Sequence, residues 1–163
     1  MSRDPIYGLP PVFRGPTAEV LPLDENVNWG MEVFQVARLR DAVTPLIKLG
    51  VVDTGVDKDH PLLANLKGAR DFTGSAYGPA DRHGHGTHCT GTVGGVDPRV
   101  GVAAGCDLYH GKGLGDSGSG GDGLIDAMEY CLSEGCEILS CSWGGGGRNA
   151  AWEARFRAWA ESP

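Results

Sequence analysis

No apolar run in the 163 residues approaches the ~20 residues of a membrane span. No Lys/Arg cluster stands out either, and the formal charge is −7, from 14 Lys and Arg against 21 Asp and Glu. An acidic chain of this kind is a poor nucleic-acid binder. The opening stretch MSRDPIYGLPPVFRGP lacks the apolar centre of a signal peptide. The expectation is a protein that stays inside the cell, or one whose export signal lies outside these residues. Cysteine is sparse and odd in number: Cys89, Cys106, Cys131, Cys136 and Cys141 leave at least one thiol unpaired and are too few for a disulfide scaffold. The five-residue recurrence of Cys131, Cys136 and Cys141 is not a zinc-ligand spacing, so these read as buried reduced thiols. There is no internal repeat.

Glycine is what the chain has in excess, 27 of 163 residues, or about 17% against a usual ~7%. The glycines are not periodic, which excludes collagen. They cluster at 84–95, 111–123 and 144–147, as expected where backbone approaches backbone or substrate. Residues 1–27, with Pro5, Pro10, Pro11, Pro16 and Pro22, read as an extended N-terminal arm, and residues 28–163 as the folded domain. From Thr44 onward strands and helices alternate. PLIKLGVV (45–52) reads as a buried strand ending at Asp53, and GARDF (68–72), CDLYHGK (106–112) and CEILSCS (136–142) as further strands. Residues 122–134 read as a helix capped by Asp122, with Leu124, Ile125, Met128 and Leu132 on one face and Gly135 at its end. Residues 149–160 read as another, with Trp152, Phe156 and Trp159 in line and Glu153 paired to Arg157. Residues 84–95 fit neither helix nor strand by propensity. The alternation predicts an α/β fold with a central parallel sheet, whose reactive groups gather at the carboxyl ends of the strands. Asp53, Lys112 and Ser142 fall there.

VVDTGVDKDHP (51–61) and GHGTHCTGTVGG (84–95) bring a carboxylate, Asp53, and an imidazole, His85, into sequence separated by 32 residues. A carboxylate that accepts from one imidazole nitrogen frees the other to take a proton, which is what a general base needs near neutral pH. These blocks, with KGLGDSGSGG (112–121) and ILSCSWGG (138–145), resemble the subtilisin-like serine peptidases, the subtilases, from about Trp29 to Gly145. The Asp-before-His order is the one that subtilisin itself exemplifies. The resemblance implies a three-layer α/β domain of which residues 28–163 are the N-terminal half. It implies Asp53 as orienting acid and His85, at the start of a buried helix, as general base. Gly118, Ser119 and Gly120 then form one edge for an extended polypeptide substrate, and Ser142, Trp143 and Gly144 the facing edge. Gly86 and Gly91 are expected to allow tight packing of that helix, and Cys89 matches a cysteine in the proteinase K branch.

The same resemblance exposes what is missing. No G-T-S-x-A block supplies a nucleophile and no A-G-N segment an oxyanion asparagine. Serines 2, 75, 117, 119, 133, 140, 142 and 162 have no such context. The expectation is a fragment that lacks its nucleophile and is inactive alone, with a C-terminal segment as the missing partner. HPLL stands where many subtilases have H-P-D-L, and the loop at 95–101 is short, so the family calcium site is expected to be absent and no cofactor is implied. The first 27 residues are too short for the usual inhibitory propeptide. Three other readings compete. The chain could be a natural half-protease acting as a binding module or split enzyme. His83, His85 and His88 could ligate zinc, although dinuclear zinc hydrolases place an aspartate where this chain has Thr87. GDSGSGG (115–121) resembles the nucleophile signature of chymotrypsin-like proteases, but Ser117 lies only 32 residues beyond His85 and the aspartate precedes the histidine, so it reads as a substrate rail.

Overall fold

The β-branched run at the heart of KLGVVD forms the central strand of the molecule. The computed structural model describes residues 7–8, 30–31, 34–36, 47–121, 123–145 and 147–161. Within them β1 (Tyr7–Gly8), β2 (Lys48–Asp53), β3 (Leu66–Asp71), β4 (Asp107–Lys112), β5 (Ser119–Gly120), β6 (Ile138–Ser140) and β7 (Gly144–Gly145) alternate with α1 (His85–Gly94), α2 (Leu124–Ser133) and α3 (Ala150–Ala160). β2, β3, β4 and β6 make a parallel sheet in the order β3-β4-β2-β6. Adjacent valines face opposite ways on a strand, and Val51 and Val52 are both fully buried, so both faces of the sheet are covered. Leu49, Val56, Leu63 and Leu108 pack on the α1 side with Val93. Val52, Leu114, Leu124, Ala127, Met128 and Cys131 pack on the α2 side. This is an incomplete three-layer α/β fold, as the alternation predicts.

The differences from the sequence reading are local. CEILSCS yields a strand only over Ile138–Ser140, because β6 pairs with β2 alone, over Leu49–Val51. The α2 face is rotated: Leu124, Ala127, Met128 and Cys131 are buried, while Ile125 and Leu132 are only half-buried. The cause is the close approach of α2 to β4, where a side chain at Gly111 would meet the Ala127 Cβ at 2.8 Å. Asp122, the expected cap, lies outside the described residues, as does most of the 1–27 arm. Glu153 pairs with Arg148, at 2.7 Å from its Nη2, rather than with Arg157. Arg148 stands just before the Asn149 cap, whose Oδ1 accepts from the amides of Ala151 and Trp152. Trp143, Trp152, Phe156 and Trp159 form a ladder of edge-on rings 5.2–6.0 Å apart, which lays α3 against the α2-side core.

The segment that propensity leaves undecided is a helix. α1 is fixed by packing rather than by composition. Of its glycines, Gly86 and Gly94 are in tight contact, whereas a Cβ at Gly91 would meet nothing within 4 Å. The expectation of tight packing therefore holds for Gly86 and not for Gly91. A second sheet, in the order β5-β1-β7, is antiparallel throughout.

Candidate active site

Parallel pairing aligns the strand ends: Asp53 stands opposite Lys112, and Lys112 opposite Asp71. Asp53 is wholly buried. Its carbonyl accepts from the amides of Gly113 and Leu114, and its Oδ1 accepts from the Thr54 amide at 2.7 Å. The chain then turns at Gly55, whose φ is +115°, with Pro79 and Ala80 carbonyls pressed against it. Across this turn sits the start of α1. His85 is its first residue, and its Nδ1 lies 2.8 Å from Asp53 Oδ1. The side chain is 25% exposed. The structure thus brings together the two residues that the sequence pairs at a distance of 32. Asp53 Oδ2 is buried and has no hydrogen-bond donor among the described residues.

Cys89, one turn further along α1, places Sγ 3.7 Å from both ring nitrogens of His85. Equal distances set the sulfur over the ring rather than in line with Nε2, so this is not a nucleophile–base alignment. Burial also pushes the Cys89 thiol up, the Asp53 and Asp81 charges push the same way, and a contact with Ser142 only partly opposes them. A thiol held protonated is a poor nucleophile. Among the described residues the converging group of potential metal ligands is Asp53, His85 and Cys89. His83 and His88 are not part of it, which counts against the three-histidine zinc reading.

Ser117 is exposed and its Oγ pairs with Ser119 Oγ at 3.0 Å, away from the hydrogen bonds of His85. It belongs to a turn closed by Gly118 N to Gly115 O and Gly115 N to Ser119 O. Gly118, with φ +77°, is in that turn; Ser119 and Gly120 form β5. On the facing side only Gly144 of the expected trio is in a strand. Ser142 and Trp143 lead into it, and Trp143 Nε1 donates to the Val52 carbonyl at 2.7 Å, pinning β7 beside the end of β2. Between the two edges lies β1, with Tyr7 opposite Gly120 and Gly145, and Gly8 opposite Ser119 and Gly144. A cavity of about 170 Å³ opens beside β5, lined by Phe72, Thr73, Ser119, Gly113, Gly115 and Gly120.

Two groups have roles that a reading of the sequence does not show, although it places the first of them at a strand end. Lys112 is fully buried, and its Nζ donates to Ala80 O at 2.9 Å and to Asp116 Oδ1 at 2.6 Å. Asp116 also accepts from Ser75 Oγ, so the turn that carries β5 is tied down at its base. The carboxyl of Asp116 is held below the ordinary carboxylate range, chiefly by the Lys112 hydrogen bond. Asp81 is the second. Burial would raise its pKa, but bonds from Thr87, Gly84 and His83 outweigh that and leave it lowered. Its only signal in the sequence is an aspartate four residues before His85.

A model of the subtilase family matches residues 46–161. The chain is 35% identical over 119 residues to subtilisin DY of Bacillus licheniformis, covering 70% of this chain and 43% of that protein. It is 40% identical over 108 residues to an intracellular serine protease of Paenibacillus polymyxa, covering 61% of this chain and 33% of that one. Among solved structures, the psychrophilic subtilisin-like protease Apa1 from Pseudoalteromonas sp. AS-11 superposes with a TM-score of 0.69 at 25% identity, over 82% of this chain and 33% of that one. The chain therefore spans less than half the length of these relatives.

Proposed function

The chain belongs to the subtilase family, and from that premise we propose that it carries the acid–base half and the substrate edges of a serine endopeptidase. The observation that supports this most is the 2.8 Å contact between His85 Nδ1 and the buried Asp53 carboxylate. With Nδ1–H donating to Asp53, the unprotonated Nε2 accepts a proton from a serine hydroxyl and later returns it to the leaving amine, while the carboxylate stabilises the imidazolium between those steps. No G-T-S-x-A block and no A-G-N segment occurs in the 163 residues, so the chain is proposed to lack its nucleophile and oxyanion asparagine and to be inactive alone, since covalent catalysis needs its nucleophile. Mixed with a C-terminal subtilase segment that carries G-T-S-x-A, it is expected to recover hydrolysis of an extended peptide, and His85→Ala to abolish the recovery. Turnover by the chain on its own, lost in His85→Ala, would overturn the inactivity.

The facing edges support an extended polypeptide as the ligand. Strand addition between two open edges takes its affinity from backbone hydrogen bonds and its selectivity from side-chain pockets. The chain's own β1 already runs between β5 and β7, and the cavity beside β5 is sized for one side chain. This favours a second reading, in which the chain binds peptides without cleaving them and its N-terminal segment competes for the cleft. Removing residues 1–11 is then expected to raise its affinity for an extended peptide in calorimetric titration; an unchanged affinity would count against it. The family calcium site is proposed to be absent: Leu62 stands where H-P-D-L carries its aspartate and offers no oxygen ligand, and Asp97 in the short loop is engaged by the Arg99 guanidinium.

A further inference from the structure

We propose that Asp81 is the positioning residue of the Asp53–His85 pair, fixing the helix that carries the base against the strand end that carries the acid. The proposal rests on reading that pair as acid and base. The two residues belong to different elements, so their contact lasts only if the start of α1 is held against the turn after β2. Apolar packing resists compression there but does not set direction. Asp81 does. Its Oδ1 accepts from Thr54 Oγ1 at 2.9 Å, from His83 N at 3.0 Å and from Gly84 N at 2.9 Å. Its Oδ2 accepts from Thr87 N at 2.8 Å and Thr87 Oγ1 at 2.7 Å.

The chemistry of a carboxylate makes this arrangement directional. An ionised carboxylate only accepts, and a hydroxyl has one proton to give. Thr54 therefore spends its proton on Asp81, and its oxygen is left to accept from Gly86 N, at 2.9 Å. Thr87 spends its proton in the same way and accepts from Asp57 N, also at 2.9 Å. Thr54 adjoins Asp53, and Gly86 adjoins His85. One side chain thus commits both hydroxyl bridges that join the acid's turn to the base's helix, and its charge sits favourably at the helix N-terminus. An asparagine of the same shape cannot do this, because its amide nitrogen must face either the Thr54 and loop donors or the Thr87 donors, donor against donor.

The test uses the low-field proton resonance of an imidazole Nδ1–H bonded to a carboxylate, followed by NMR on the whole chain. The wild type is expected to show it for His85. Asp81→Asn and Thr54→Val are expected to lose it, while Thr54→Ser, which keeps the hydroxyl, retains it. Met128→Ala, a change in the α2-side core and outside the network, should retain it below its melting transition, which separates positioning from general loss of stability. Should Asp81→Asn fail to fold, Thr54→Val decides alone. A folded Asp81→Asn or Thr54→Val chain with the resonance unchanged overturns the proposal. Absence of the resonance from the wild type overturns the acid–base reading itself, and the proposal with it.

Discussion

Two glycines five residues apart on α1 should respond to the same mutation with opposite signs. A Cβ built on Gly86 stands 2.1 Å from the Gly55 carbonyl oxygen and 3.1 Å from Thr54 N. Carbon–oxygen contacts settle near ~3.3 Å, so the Gly86→Ala helix must retreat by about 1 Å. The obstacle is backbone, and it is held: Gly55 sits at φ +115° and Val56 N donates to Pro79 O. That retreat stretches the Gly86 N–Thr54 Oγ1 and Asp53–His85 bonds, 2.9 and 2.8 Å in the wild type, past useful length. Overpacking costs ~1–3 kcal/mol and a weakened hydrogen bond ~0.5–1.5 kcal/mol, against a gain of ~0.5–1 kcal/mol for alanine over glycine in a helix. The net loss is about 0.5–4 kcal/mol, or a fall in Tm of roughly 1–16 °C for a chain of this size. At Gly91 a Cβ meets nothing within 4 Å, so Gly91→Ala keeps the propensity gain and Tm should rise by about 1–4 °C. Far-ultraviolet circular dichroism melts of the three chains decide it. A Gly86→Ala melt that overlays the wild type, or a Gly91→Ala chain that falls as far as Gly86→Ala, would refute the packing argument.

Stability should also drop in acid through His110. It is fully buried, with Nδ1 3.0 Å from Thr90 Oγ1 and Nε2 without a hydrogen-bond partner among the described residues, and burial, helped by Lys112 and opposed by Asp81, pushes its pKa from 6.5 down to about 3. The unfolded chain takes up a proton there that the folded chain refuses, so stability is lost as pH falls from 6.5 towards 3, at about 1.4 kcal/mol per pH unit. Denaturant midpoints of a His110→Gln chain should show a shallower slope over that window, and an equal slope would refute the assignment. For the thiols, burial above all pushes Cys131 up to about 12 and Cys136 and Cys141 up to about 11, with the Lys48 charge opposing it at Cys136. A disulfide colour reagent near pH ~8 should then react slowly with these three in the native chain and promptly with all five in denaturant; prompt native reaction of more than two would show the buried thiols to be open.

How much of this was legible in the sequence depended on how local its cause is. Asp53 could be read because an apolar run ending in an acid is a local pattern, and His85 because its block is contiguous. The helix that carries His85 could not be read from propensity, because what makes it a helix is Gly55 and Leu108, distant in sequence, lying where Gly86 and Gly94 leave room. The buried face of α2 is rotated from the stripe of Leu124, Ile125, Met128 and Leu132 for the same reason: periodicity gives a stripe, but the approach to Gly111 chooses its centre. Glu153 took Arg148 instead of Arg157 because the residue just before a capped helix can reach back over the first turn, a geometry that counting by fours omits. β1 had no legible signal at all, since two residues cannot show a period and their partners are more than 110 positions away. Asp81 is the most telling case. Three of its five bonds are to backbone amides, which every residue type offers, so nothing in its partners' identities announces it. Only the two threonines are specific. A site's reactive groups are written in the sequence as residue types, whereas the groups that aim them are written in backbone geometry.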